Sequence, residues 1–184
     1  MIVVWVLIGL VVVLVIWMIA TYNRLVSLRQ QTMNAWSQID VQLKRRYDLI
    51  PNLVETVKGY MKHEQDTLER VIQARNRAIA AQGVHEKAAA EVQVASALGG
   101  IFALSEAYPE LRSNENMLHL QEELKGTENK IAFARQYYND IVASYNTKIE
   151  SFPDRILAGM ASMKPRELFE LDDAAERGPV KVQF

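Results

Sequence analysis

The chain has no cysteine among its 184 residues, few glycines (8) and prolines (5), and no charged residue between Ile2 and Ala20. Each scarcity removes a class of answer. Without cysteine there is no disulfide framework, no thiolate nucleophile, no thiolate metal ligand and no site for a bacterial lipoprotein anchor. Scarce glycine and proline, beside plentiful Ala, Gln, Glu, Leu and Arg, describe long helices, and β-branched alternation is missing outside the first twenty residues. Lys plus Arg (21) nearly equals Asp plus Glu (22), a net charge of −1. No basic surplus exists to neutralise a phosphate backbone, so nucleic acid is not an expected partner.

What is present begins with IVVWVLIGLVVVLVIWMIA, residues 2–20. Crossing a hydrocarbon core takes roughly 20 apolar residues at about 1.5 Å each. A helix satisfies its own backbone there, so the run reads as a spanning helix and the bilayer as the first partner. A cleaved signal would want a basic leader, a shorter core and an A-x-A site. Only Met1 precedes the run, and Trp17-Met18-Ile19-Ala20-Thr21 has no such site. Residues 1–22 are therefore expected to be a single-pass anchor. Arg24 and Arg29 follow it with no acid before Asp40, which puts the body in the cytoplasm and the N-terminus outside.

Beyond the anchor, Leu25, Leu28, Thr32, Trp36, Ile39, Leu43, Tyr47 and Ile50 recur at steps of three and four, one face of a helix that continues the span. A second strip runs Leu53, Val57, Tyr60 or Met61, Glu64, Leu68, Val71, Ile72, Arg75 and Ile79. Pro51 cannot donate an interior helical bond, so a turn near Pro51 is the favoured junction and a break near Glu64 the alternative. Asn52 to Glu55 and Asp66 to Glu69 both have capping-box form. A third helix, Glu86 to Ala107, shows a thin face of Ala88, Val92, Ala95, Leu98 and Phe102, with Gly99-Gly100 suited to close packing. Tyr108 to Ser113 reads as a loop. Met117, Leu120, Leu124, Thr127, Ile131, Ala134, Tyr138, Ile141, Tyr145 and Ile149 form the most regular stripe, ending at Phe152-Pro153. The expected fold is all-α: an N-terminal transmembrane helix, an up-and-down four-helix bundle over 23–152, and a C-terminal tail over 153–184. A long dimeric coiled coil is the alternative.

Chemistry is sparse. His63, His85 and His119 are the only histidines, and none has Glu three residues before it, as a di-iron bundle requires. No P-loop, dinucleotide fingerprint or nucleophile elbow occurs. No catalytic, cofactor or metal site and no small-molecule substrate is expected, and the chain is not expected to be an enzyme. Lys44-Arg45-Arg46, flanked by Asp40 and Asp48, suits a solvated face with local salt bridges or a contact with another protein. It begins roughly 30 Å past the span along a straight helix, too far for headgroups. Tyr22-Asn23, Tyr137, Tyr138-Asn139 and Tyr145-Asn146 suit core rings with hydroxyls at a wet end.

These runs together resemble the LemA family of bacterial membrane proteins. The resemblance rests on YNRLV at 22–26, AWSQIDVQLKRR at 35–46, DLIPNLV at 48–54, VKGY at 57–60 and His63-Glu64. It continues through EAYP at 106–109, Asn114-Glu115-Asn116, Tyr138-Asn139, YNTKI at 145–149 and Phe152-Pro153. It implies a helical bundle behind a single span in the bacterial inner membrane, with a short external N-terminus. It implies no activity, although one branch is associated with forming magnetosome membranes. The expected function is a non-enzymatic membrane-anchored scaffold that forms a homo-oligomer and shapes or organises the membrane. The alternative is an adaptor that recruits an unidentified protein partner through Lys44 to Arg46 and the Tyr108-Pro109 region. In a four-pass topology Ile156, Leu157, Met160 and Met163, with Arg155, Lys164 and Arg166, either line the membrane interface or cap the end of the bundle.

Overall fold

The computed structural model describes residues 1–60 and 64–170, and all regular structure among them is helical. Six helices follow in order: α1 Ile2–Lys58, α2 Gln65–Ala80, α3 Gly83–Glu106, α4 Pro109–Arg112, α5 Glu115–Glu150 and α6 Asp154–Met160. Two of them, α4 and α6, are short turns of helix that the expected four-helix count omitted. α4 occupies the stretch expected to be a loop. Pro109 sits at its first position, where a missing N–H costs nothing, and Leu111 is buried beneath it.

The expected turn at Pro51 is absent, because α1 passes through it without interruption to Lys58. Pro51 has no N–H to give the Tyr47 carbonyl four residues earlier, which is the usual reason a helix breaks there. Here Arg75 Nε donates to that Tyr47 oxygen at 2.7 Å, so the orphaned acceptor is satisfied from α2. The chain turns instead after Lys58, and α2 starts after Glu64 with no side-chain cap, so neither capping-box candidate is used.

Contacts divide the chain into two compact units, one of 1–39 with 134–168 and the other built mainly from 40–133. In the first, α1 and α5 run antiparallel. The Trp36 and Tyr138 rings meet edge to face at 5.4 Å, and Leu25 packs with Tyr145 and Ile149. In the second, α1 from Asp40 onward, α2, α3 and the first half of α5 pack on Leu43, Ile50, Leu53, Val71, Val94, Ile101, Met117 and Leu124. Asn114 accepts the Met117 N–H at the start of α5 and donates to the Tyr60 hydroxyl in the turn that follows α1.

α3 presents a face that overlaps the expected one and is shifted from it: Ala88 and Leu98 are buried and Val92 and Phe102 partly so, as expected. Ala95 is exposed, while Glu91, Val94, Ile101 and Ser105 are buried. The helix is apolar nearly all round, so its sequence does not single out one side. Close packing at Gly99-Gly100 does not occur either: a methyl group on Gly99 meets nothing within 4 Å, and one on Gly100 only just touches Thr67. α3 is also long and apolar enough to cross a membrane, yet it lies along α2 and carries the buried Glu91. That is the signature of a core helix.

Candidate functional site

Successive residues on a helix point about 100° apart, so Lys44, Arg45 and Arg46 cannot share a face. Lys44 is exposed, Arg45 reaches Glu123 at 2.5 Å across the surface, and Arg46 turns inward beside Leu43 and Ile50. Only 2 % of the Arg46 side chain is exposed, and it forms an ion pair with the equally buried Glu91. Its second nitrogen reaches Glu128 at 2.6 Å, near the solvent edge. The Tyr47 hydroxyl donates to the other oxygen of Glu91. Lys87 lies over the Tyr47 ring, 5.9 Å from its centroid, and donates to the Ala78 carbonyl in the last turn of α2 at 2.9 Å.

This centre is electrostatically closed. Burial pushes the Tyr47 phenol up to about 12, with Arg46 opposing that rise and Asp40 adding to it. Burial also raises the Asp40 carboxyl, against the pull of Lys87. The Glu91 carboxylate is taken up by a cation and a phenol. The arrangement locks α1, α3 and α5 to one another within this unit. Sequence reasoning placed Arg46 on a solvated face. The signal that could have placed it inside is its offset of three from Leu43 and four from Ile50.

In the other unit the tyrosine-asparagine pairs have a specific task. After α6 the chain doubles back along α5, and α5 holds it by its backbone. The Tyr145 hydroxyl donates to the Lys164 carbonyl at 3.2 Å, and the Tyr138 hydroxyl donates to the Glu167 carbonyl at 2.9 Å. Asn146 bonds both the carbonyl and the N–H of Arg166, each at 2.8 Å. Burial raises the Tyr138 phenol, opposed by Arg166. The Tyr138 and Tyr145 rings are core, as the spacing predicts, with hydroxyls that meet the tail rather than water, whereas Tyr22 and Tyr137, also expected in the core, are exposed.

The reversal after α6 is itself a built turn. Ser162 has φ 51°, Met163 N–H reaches the Ala158 carbonyl and Ser162 N–H the Gly159 carbonyl, both at 3.0 Å. This is the pattern of a Schellman cap, with serine where glycine is usual and Met163 folding onto the helix it ends. The start of α6 is held by Asp154, buried and paired with Lys148. Leu157 and Ala158 complete a cluster with Leu25, Tyr145 and Ile149, and Met18 and Met163 pack against it.

Among the described residues no three histidine or acidic side chains converge as a metal site. His85 and His119 are exposed, and His63 lies outside the described residues. Two open grooves flank α3. One, of about 810 Å³, lies along α2 with Arg70, Arg77, Gln93 and Ser96 on its walls. The other, of about 910 Å³, lies along α5 with Phe102, Arg112 and Glu128. From Ile2 to Ala20, by contrast, α1 carries apolar side chains that are exposed among the described residues, with Met18 partly covered.

The model of the LemA family matches residues 35–184. The chain belongs to the LemA family. Magnetosome protein MamQ 2 of Paramagnetospirillum magneticum is 24% identical over 200 residues, covering 95% of this chain and 74% of that protein. Magnetosome protein MamQ of Magnetospirillum gryphiswaldense is 24% identical over 189 residues, covering 89% and 70%. Protein LemA of Metamycoplasma hominis is 28% identical over 132 residues, covering 71% and 60%. A membrane-associated helical protein is the description that the apolar helix and these relatives support together.

Proposed function

We propose that this LemA-family chain is a non-enzymatic scaffold, anchored by a single span in the bacterial inner membrane, that self-associates side by side and organises the bilayer around it. The observation that carries the reading is the absence of any linker in α1. One helix from Ile2 to Lys58 serves first as the span and then as a wall of both units. Protomers anchored this way reach the bilayer already oriented and confined to two dimensions, so weak lateral contacts suffice. Uncovered apolar side chains supply such contacts: Phe133 is 73% exposed, and Tyr137, Val26, Met33 and Val41 are also exposed. The antiparallel pairing of α1 and α5 in one unit, with α3 lying along α2 in the other, supports an up-and-down bundle of α1, α2, α3 and α5. Arg24 and Arg29 favour a cytoplasmic body. The relatives named for magnetosomes support a role in organising membrane.

The adaptor reading loses two of its three basic contacts, since Arg46 is buried and Arg45 is paired. Light scattering of the detergent-solubilised full chain tests self-association. An oligomer that Phe133→Glu dissolves supports the scaffold, and a monomer at micromolar concentration refutes it.

A further inference from the structure

We infer that α6 and the turn before it form an interfacial foot, seated in the headgroup layer of the bilayer that α1 spans. The inference rests on reading residues 2–20 as the span.

α6 has two faces of opposite fate. Asp154, Leu157 and Ala158 are buried, while Phe152, Ile156 and Met160, four residues apart, are 83%, 57% and 75% exposed. Three large apolar side chains in a row facing water are unusual on a soluble surface. The buried face says where they sit. It packs with Leu25, and Met18 packs against the same cluster. Met18 belongs to the uncharged run, so the inner face of α6 stands against the last turns of the span and the turns that follow it.

The surroundings have the composition of a membrane boundary. Trp17 and Tyr22, on α1 at this height, are partly exposed, and amphipathic rings concentrate at that level of a bilayer. Arg24, Arg29, Arg155 and Lys164 are exposed in the same unit, while Asp154 is committed to Lys148. Glu150 is the exposed acid beside the turn. Basic side chains beside an apolar row suit anionic headgroups above acyl chains. The chain then leaves in the other direction, held by Tyr145, Asn146 and Tyr138 along α5, so α6 stands at the bend. A second copy covering the same face would need no matching height with the span, so the bilayer is the occupant that these positions favour.

The test uses the full chain in vesicles of phosphatidylethanolamine and phosphatidylglycerol. Because the sequence has no cysteine, single variants Met160→Cys, Val11→Cys and Gln136→Cys each take one fluorophore. Gln136 is an exposed α5 residue roughly 24 Å of helix from Phe152. Spin-labelled lipid should quench the Met160 probe strongly when the label is near the headgroup and weakly when it is at the chain end. The Val11 probe should show the reverse, and the Gln136 probe neither. Quenching at Val11 without quenching at Met160 overturns the foot and leaves the span standing, whether water or a second copy covers α6. No quenching at Val11 overturns the span and the foot with it.

Discussion

Both units bury a paired carboxylate, Glu91 in one and Asp154 in the other, but they hold their chains together by different means. The unit built mainly from 40–133 sequesters formal charge, Arg46 against Glu91 with Tyr47 and Glu128 completing the shell. The unit of 1–39 and 134–168 holds its returning tail with neutral donors, the hydroxyls of Tyr138 and Tyr145 and the amide of Asn146. The difference teaches where each unit is brittle. A buried ion pair adds little over a well-packed apolar replacement, yet removing one partner strands a charge. A neutral bond to a backbone carbonyl fails gently, because water can take its place when the tail lifts.

The largest expected effect follows from that contrast. Arg46→Met leaves Glu91 charged and buried, and should cost about 3–5 kcal/mol in denaturant unfolding. Adding Glu91→Met should recover most of the loss. If the double variant is as unstable as the single one, the centre matters for its packing rather than its charge, and the contrast between the units collapses.

A smaller effect is expected at the tail clamp. Asn146→Ala removes both bonds to Arg166 and should cost about 2 kcal/mol. Amide exchange over 163–168 should rise while α3 keeps its protection. Equal loosening of both units would deny that they respond separately.

The mildest perturbation is pH. The Tyr47 phenol titrates near 10 in the unfolded chain and at about 12 in the folded one, so the folded state holds its proton more tightly. Its contribution is fully present below about pH 10 and is lost as pH rises toward 12. Tyr47→Phe should therefore flatten the alkaline fall in stability of this unit. An unchanged slope would mean that burial does not hold the phenol protonated.

Much of this was legible from residue order, and the failures share a cause. The long apolar start of α1 and the inner faces of α1 and α5 follow from local spacing, since Leu25, Ile39, Leu43, Met117, Leu124 and Tyr145 are buried as their periods predict. Pro51 misled because its effect is cancelled by Arg75, a residue distant in sequence that takes the Tyr47 carbonyl. Arg46 misled because a charge inside needs a partner, and Glu91 sits on a helix too uniformly apolar for its inner face to be read. Tyr138 and Tyr145 follow the core spacing while Tyr22 and Tyr137 do not, and the hydrogen bonds of the buried pair depend on the path of the tail, which no local rule supplies.

The central claim is that one helix joins span to body and so brings bodies together in the plane of the membrane. Energy transfer between donor- and acceptor-labelled full chains in liposomes, measured as lipid is added at fixed protein, tests it most directly. The account predicts transfer that stays above the random-collision level as chains are diluted in the bilayer, and that falls to that level for Phe133→Glu. Transfer that tracks random collisions at every dilution in the unsubstituted chain would contradict it.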